Sequence, residues 1–242
     1  MNRYGPRIVT NDLALCLDAG DLTSYPGSGT VWTDLAQGLQ FNSSGTTMPF
    51  GTYNGAKAFA TNGSGYWICN TGYANVDMAG ECTLLMWIYS TDITARKTIF
   101  QKNGTVYQPY QQEIAVTWET DERFSFYSGY PTYDNASVPS TGTPSIGTSG
   151  WYLIGIRMSS GKTANVSRIY YSSKNGYPWE TRATGRNTNN AITPAGAIQI
   201  GSGYAGTVLS GAYIGKIMVY ERMINNDEVK QIYNADRSRF NS

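Results

Sequence analysis

The chain of 242 residues contains no histidine. The commonest general base and the commonest metal ligand are therefore missing together, and no Ser-His or Cys-His nucleophile pair can be built. Charge is scarce as well. Only 14% of residues are charged, and 18 basic against 17 acidic side chains leave a formal net charge of +1. No basic stripe is present to meet a phosphate backbone, so nucleic acid is not an expected partner. The longest apolar stretch, Leu84 to Tyr89, is far short of the roughly 20 residues that span a bilayer, so no membrane partner is expected. No apolar run follows Met1-Asn2-Arg3-Tyr4-Gly5-Pro6, and a secretory signal is not expected either. Cysteine is limited to Cys16, Cys69 and Cys82, an odd number at wide spacing. That pattern fits neither a disulfide framework nor a zinc site. Each lies in an apolar segment, which predicts three buried free thiols and folding in a reducing compartment.

What is present is strand after strand. Leu13, Leu15 and Leu17 alternate with Ala14, Cys16 and Asp18, the pattern of a half-buried strand. In Glu81 to Ser90, Cys82, Leu84, Met86 and Ile88 share one face, and Leu85, Trp87 and Tyr89 the other. Apolar residues on both faces predict a central strand. Further strands are expected at Tyr66–Asn70, Thr98–Gln101, Glu113–Glu119, Arg123–Tyr127, Trp151–Met158, Val166–Tyr171, Ala197–Ile200 and Ala212–Glu221. Turn clusters such as Tyr25-Pro26-Gly27-Ser28-Gly29 and Lys174-Asn175-Gly176 separate them. Many short strands with turn-rich connectors make a sandwich or barrel.

One helix is expected, near Asn226 to Asp236. Asn225 is a good N-cap with Glu228 three residues on, and Val229, Ile232 and Tyr233 form one apolar stripe. The stretch Tyr130 to Gly150, rich in Ser, Thr, Pro and Gly, reads as a long surface loop. No linker or repeat divides the chain, so residues 1–242 read as a single domain.

Several segments together resemble laminin-G-like, concanavalin A-like domains of tailed-phage virion proteins, those of marine phages and cyanophages especially. Leu13-Ala14-Leu15-Cys16-Leu17-Asp18-Ala19-Gly20, followed by Ser24 to Leu35, resembles the family's opening. Thr83 to Tyr89 looks like its central strand, and Trp151-Tyr152-Leu153-Ile154-Gly155 and Ile198-Gln199-Ile200-Gly201 like two later ones. Gly215 to Arg222 with Asn226-Asp227-Glu228-Val229 resembles its closing strand and helix. The resemblance implies an all-β fold: a two-sheet antiparallel jelly-roll (concanavalin A-like) sandwich with a short C-terminal helix. It does not by itself imply an activity, because this fold carries lectins, adhesion modules, glycanases and structural virion proteins. The chain departs from the family at Phe59-Ala60-Thr61-Asn62-Gly63-Ser64-Gly65-Tyr66, where many relatives carry carboxylates and this chain has none.

Catalysis finds little support. The nearest acidic cluster to a glycanase arrangement is Glu119-Thr120-Asp121-Glu122, and alternation along a strand turns Glu122 away from the other two. The cluster reads as the charged turn of a hairpin; no catalytic residue is assigned and an enzyme is not expected. No cofactor is expected, calcium being the one left open, because Asp18, Asp21 and Asp34 lie near strand ends. Such residues more often form turns by accepting backbone hydrogen bonds. Sequons at Asn42, Asn62, Asn103, Asn135 and Asn165 are what an Asn- and Ser-rich chain contains by chance. The best binding signal is aromatic: Tyr130 and Tyr133 in Gly129-Tyr130-Pro131-Thr132-Tyr133, and Tyr177 and Trp179 in Gly176-Tyr177-Pro178-Trp179. Tyrosine and tryptophan suit sugar stacking and protein contacts alike, although they also pin their own loops to a sandwich.

These readings point to a non-enzymatic binding protein. The resemblance implies a multicopy virion component, made in the host cytoplasm and acting through contacts with other capsid (decoration) or tail proteins. The alternative is a carbohydrate-binding adhesin, part of a tail fibre or head fibre, that contacts a host-surface glycan.

Overall fold

The computed structural model describes residues 8–78, 80–90, 97–103, 112–118, 124–129, 134–135, 150–158, 163–172, 179–187, 196–202 and 209–240. The strands in chain order are β1 (Leu13–Asp18), β2 (Val31–Thr33), β3 (Gln40–Gly45), β4 (Phe50–Tyr53), β5 (Ala56–Asn62), β6 (Gly65–Cys69), β7 (Cys82–Ser90) and β8 (Lys97–Asn103). They continue with β9 (Gln112–Trp118), β10 (Phe124–Gly129), β11 (Asp134–Asn135), β12 (Trp151–Met158), β13 (Thr163–Ser172), β14 (Trp179–Asn187), β15 (Ile198–Ile200) and β16 (Ser210–Tyr220). One helix, α1 (Asn226–Asp236), closes the fold.

Two antiparallel sheets face each other. The front sheet runs β14-β13-β12-β7-β16-β5-β4, and β1 takes the edge of β16 beyond the reach of β5. The back sheet runs β11-β10-β9-β8-β15-β6-β3-β2. Strands from distant parts of the chain lie side by side in both sheets, the jelly-roll arrangement expected from the sequence. Between the sheets lies the larger core, in which Tyr25, Trp32, Phe50, Phe59 and Trp67 form a cluster with ring centroids 4.8 to 6.0 Å apart. Each such ring removed from water stabilises the fold by about 1.5–3 kcal/mol before ordering costs.

The β7 reading is upheld. Leu84, Met86 and Ile88 enter the inter-sheet core, while Leu85 and Trp87 enter a second core on the outer side of the front sheet. That second core corrects the expectation for β1. Cys16 and Asp18 are buried like Leu15 and Leu17, because α1 and the C-terminal segment roof the outer face. The helix has the predicted bounds and a capping box: Glu228 N–H donates to Asn225 Oδ1 at 2.9 Å, and Asn225 N–H to Glu228 Oε2 at 2.7 Å. Val229, Ile232 and Tyr233 are its buried stripe.

Polar anchors hold the roof in place. Buried Arg157 on β12 donates to Ile224 O (2.9 Å) and Asn226 Oδ1 (2.7 Å). Lys216 on β16, equally buried, meets Asp236 at 2.8 and 3.0 Å and Asp18 at 3.6 Å. Arg239 completes the group at 2.8 Å from Asp18.

Other expectations need correction or extension. β2 to β5 and β14 are strands that the apolar pattern did not signal; Gln40–Gly45, for example, buries Phe41 alone. Within the expected loop Tyr130 to Gly150, Asp134–Asn135 pairs with Tyr127–Ser128 as a short edge strand, which needs only backbone groups and no apolar face. The rest of that stretch, apart from Gly150, and the turn Lys174-Asn175-Gly176 lie outside the described residues. The expected hairpin between β9 and β10 is present, with Trp118 opposite Phe124, while Glu119, Asp121 and Glu122 lie outside the described residues. No helix among the described residues is long and apolar enough to cross a membrane.

Candidate functional site

The three acidic residues considered for calcium do not form a ligand set. Asp34 is buried and accepts backbone N–H bonds from Cys16 (2.6 Å), Gln37 (2.7 Å) and Ala36 (3.0 Å). Asp18 accepts from Gly20 N–H and faces Lys216 and Arg239, and Asp21 accepts from Thr23 N–H at 2.8 Å. Their oxygens are committed to turn formation and ion pairs, and among the described residues no group of three or more acidic or thiol side chains could hold a metal. Cys16, Cys69 and Cys82 are buried thiols that form no disulfide. Burial pushes the Cys16 thiol up to about 12, despite the opposing pull of Lys216. It raises Cys69 too, so neither is a ready nucleophile.

The aromatic residues expected to bind are only partly placed. Tyr130, Tyr133 and Tyr177 lie outside the described residues. Trp179 opens β14, its backbone opposite Tyr170, at the edge of the front sheet. β11 of the back sheet lies beside β14, so the strands leading to both loops meet on one side of the sandwich.

A different aromatic group was not legible as a unit in the sequence. On the outer face of the front sheet, Trp151 of β12 stands opposite Tyr89 of β7, and Tyr89 opposite Tyr213 of β16. Cross-strand neighbours on one face touch, and here the centroids are 5.8 Å and 5.5 Å apart. The tip of the β4–β5 hairpin joins them. Ala56 and Ala58 are small enough for the hairpin to lie close over this face, and Trp151 Nε1 donates to Tyr53 O at 3.3 Å. The Tyr53 ring then stacks on Tyr213, with centroids 4.3 Å apart and planes 25° apart.

This aromatic group continues beneath the C-terminal segment. Phe240 lies parallel to Trp87 at 4.5 Å and tilted against Trp151 at 5.0 Å. Gly215 permits that approach, since a Cβ there would stand 2.4 Å from the Phe240 ring. The cluster thus has two ends. Trp87, Trp151 and Phe240 are buried under the roof, whereas Tyr53, Tyr89 and Tyr213 are half-buried and reach solvent.

The described residues that form the open end, Tyr53, Tyr89 and Tyr213, are uncharged. No described residue hydrogen-bonds the three phenol oxygens. Burial, reinforced by neighbouring Tyr213, raises Tyr53 above the ordinary phenol value, so it remains a neutral O–H donor at physiological pH. Lys57, the nearby β5 cation, is turned to the Phe50 ring, which belongs to the inter-sheet core. Such a patch can stack on apolar ring faces and exchange hydrogen bonds with hydroxyl groups.

The fold is a two-sheet antiparallel β-sandwich closed by a short helix. No protein-family model matches the chain, and no curated protein matches it in sequence. Solved structures do match in shape. A Trypanosoma rangeli sialidase in complex with 2,3-difluoro-KDN superposes with a TM-score of 0.62 at 12% identity, over 94% of this chain and 33% of that one. The binding domain of Paraclostridial Mosquitocidal Protein 1 gives 0.61 at 14% identity, over 93% of this chain and 52% of that one. The binding domain of botulinum neurotoxin serotype D/C gives 0.62 at 11%, over 93% and 52%. The chain spans about a third of the sialidase and half of each toxin domain. At such identities the likeness establishes the fold; none of these three is a virion protein.

Proposed function

We propose that this domain is a carbohydrate-binding module without catalytic activity. The observation that carries the reading is the open aromatic end formed by Tyr53, Tyr89 and Tyr213, with phenol oxygens that take no hydrogen bond from described residues. Saccharides offer the complement, C–H faces for the rings and hydroxyls for the phenols. Support comes from the shape shared with two toxin binding domains and with part of a sialidase that has been seen with sialic acid. The setting we propose remains that of the resemblance: display in many copies on a virion, where weak single-site affinity gains from avidity.

A glycan array probed with the purified chain tests the reading. Binding to a defined glycan subset, weakened by Tyr213→Ala in a variant that melts as the parent does, is the expected result. Uniform absence of binding across the array overturns it.

A further inference from the structure

We infer that the turn at residues 34–38 is a strand-mimicking cap that keeps the outer edge of β1 from pairing with β1 of a second copy of this chain. β16 takes the inner side of β1, and among the described residues no further strand pairs with it. A bare edge presents unpaired N–H and C=O groups in a row, which is a template for another strand. Ala19 N–H donates inward to Gly215 O at 2.9 Å, so alternation along the antiparallel pair turns the backbone groups of Cys16 and Asp18 outward. Both outward groups of Cys16 are taken. Its N–H donates to Asp34 Oδ1 at 2.6 Å, and its carbonyl accepts from Leu35 N–H at 2.8 Å. One carboxylate oxygen and one amide thereby stand in for the C=O and N–H of a neighbouring strand. The flanking groups are taken as well. Ala14 O accepts from Gln37 Nε2 at 2.8 Å, Asp18 N–H donates to Ser24 Oγ at 3.1 Å, and Asp18 O accepts from Asp21 N–H at 3.2 Å.

The cap is a turn and not a strand, so it satisfies the edge without presenting a new one. Asp34 holds its shape. The carboxylate accepts from Ala36 and Gln37 N–H, and the carbonyl accepts from Gly38 N–H at 3.0 Å. The same buried carboxylate thus fastens both the turn and the strand edge. The partner that fits an uncapped edge is β1 itself. Leu13–Asp18 reads LALCLD, apolar up to its last residue. Two copies related by a two-fold axis at Cys16 would exchange both Cys16 backbone bonds, the self-complementary contact that antiparallel pairing allows.

The test is Asp34→Ala, which removes the acceptor and releases the turn. Sedimentation equilibrium of the full chain, run over a wide range of concentration, compares it with the parent. The expected result is a variant that still melts cooperatively but pairs more strongly than the parent as concentration rises. Hydrogen exchange identifies the surface. The Cys16 amide should exchange roughly tenfold or more faster in the dilute variant than in the parent, and become slow again in the dimer. Gln37→Ala keeps the reasoning testable should Asp34→Ala fail to fold, because Gln37 is exposed and its loss frees Ala14 O while Asp34 stays in place. It should pair in the same way at higher concentration. A folded Asp34→Ala that associates no more than the parent overturns the inference, and so does a parent-like Gln37→Ala where Asp34→Ala does not fold. Association in which the Cys16 amide stays fast places the contact elsewhere and overturns it too.

Discussion

Replacing Lys216 with methionine should unlatch the roof over the front sheet. The ammonium is almost fully buried, 2.8 and 3.0 Å from the Asp236 oxygens and 3.6 Å from Asp18. Methionine keeps most of the aliphatic volume and removes only the charge. Asp18 retains Arg239 at 2.8 Å and the Gly20 N–H, but Asp236 loses the Lys216 ammonium. Breaking a buried pair from one side typically costs about 3–5 kcal/mol, because the remaining charge is left without compensation. With a urea dependence of about 2 kcal/mol per molar, the denaturation midpoint should fall by roughly 1.5–2.5 M. Removing both charges, in Lys216→Met with Asp236→Leu, should return stability to within about 1 kcal/mol of the parent, since a buried pair and an apolar pair are often nearly equivalent. Urea melts followed by tryptophan fluorescence measure the cycle, and hydrogen exchange in α1 reports whether the helix is what loosens. A single variant within about 0.5 kcal/mol of the parent, or a double variant no better than the single, would refute the idea that this ion pair latches the helix.

Three further outcomes are expected. In Gly155→Ala the new methyl would stand 2.1 Å from Leu84 O on the neighbouring strand, so β12 and β7 must part; thermal melts should show a loss of at least about 1–3 kcal/mol, and an unchanged melting temperature would contradict the close approach. Glu228, held below its ordinary range chiefly by its hydrogen bonds with Arg222, contributes stability that is present above its unfolded value near 4.5 and lost as pH falls through the lower folded value. Glu228→Gln should flatten that acid limb in a series of melts from pH 6 to pH 2. Cys16, Cys69 and Cys82 should resist a thiol reagent in the folded protein at pH 8 and react together on unfolding; rapid labelling of the native chain would contradict their burial.

Legibility in the sequence followed apolar pattern. β7 and β12 could be read because both of their faces are buried, so almost every position is apolar. α1 could be read to its bounds because Asn225 and Glu228 make a local capping signal that needs no tertiary partner. β3 and β14 could not, since an edge or polar-faced strand is held by backbone hydrogen bonds that any residue but proline can make. The turn residues behaved as their chemistry suggests. Asn62 is one, its Oδ1 accepting from Ser64 and Gly65 N–H and its Nδ2 donating to Thr46 and Thr47 carbonyls, with Gly63 at a φ of 74°. This corner, which has no carboxylates, is therefore held by an amide and glycines.

The sequence by itself determined the class of the fold, the closing helix, the absence of histidine chemistry and the scarcity of charge, because composition and short-range periodicity express these directly. Only the tertiary structure decided which aromatics act together. Tyr53, Tyr89 and Tyr213 are far apart in the chain and share no motif. Strand order and register bring them to one face, and the length of the roof over that face decides which rings are sealed and which reach solvent. Pairing partners so distant along the chain are chosen by long-range packing and loop closure, which no local pattern encodes.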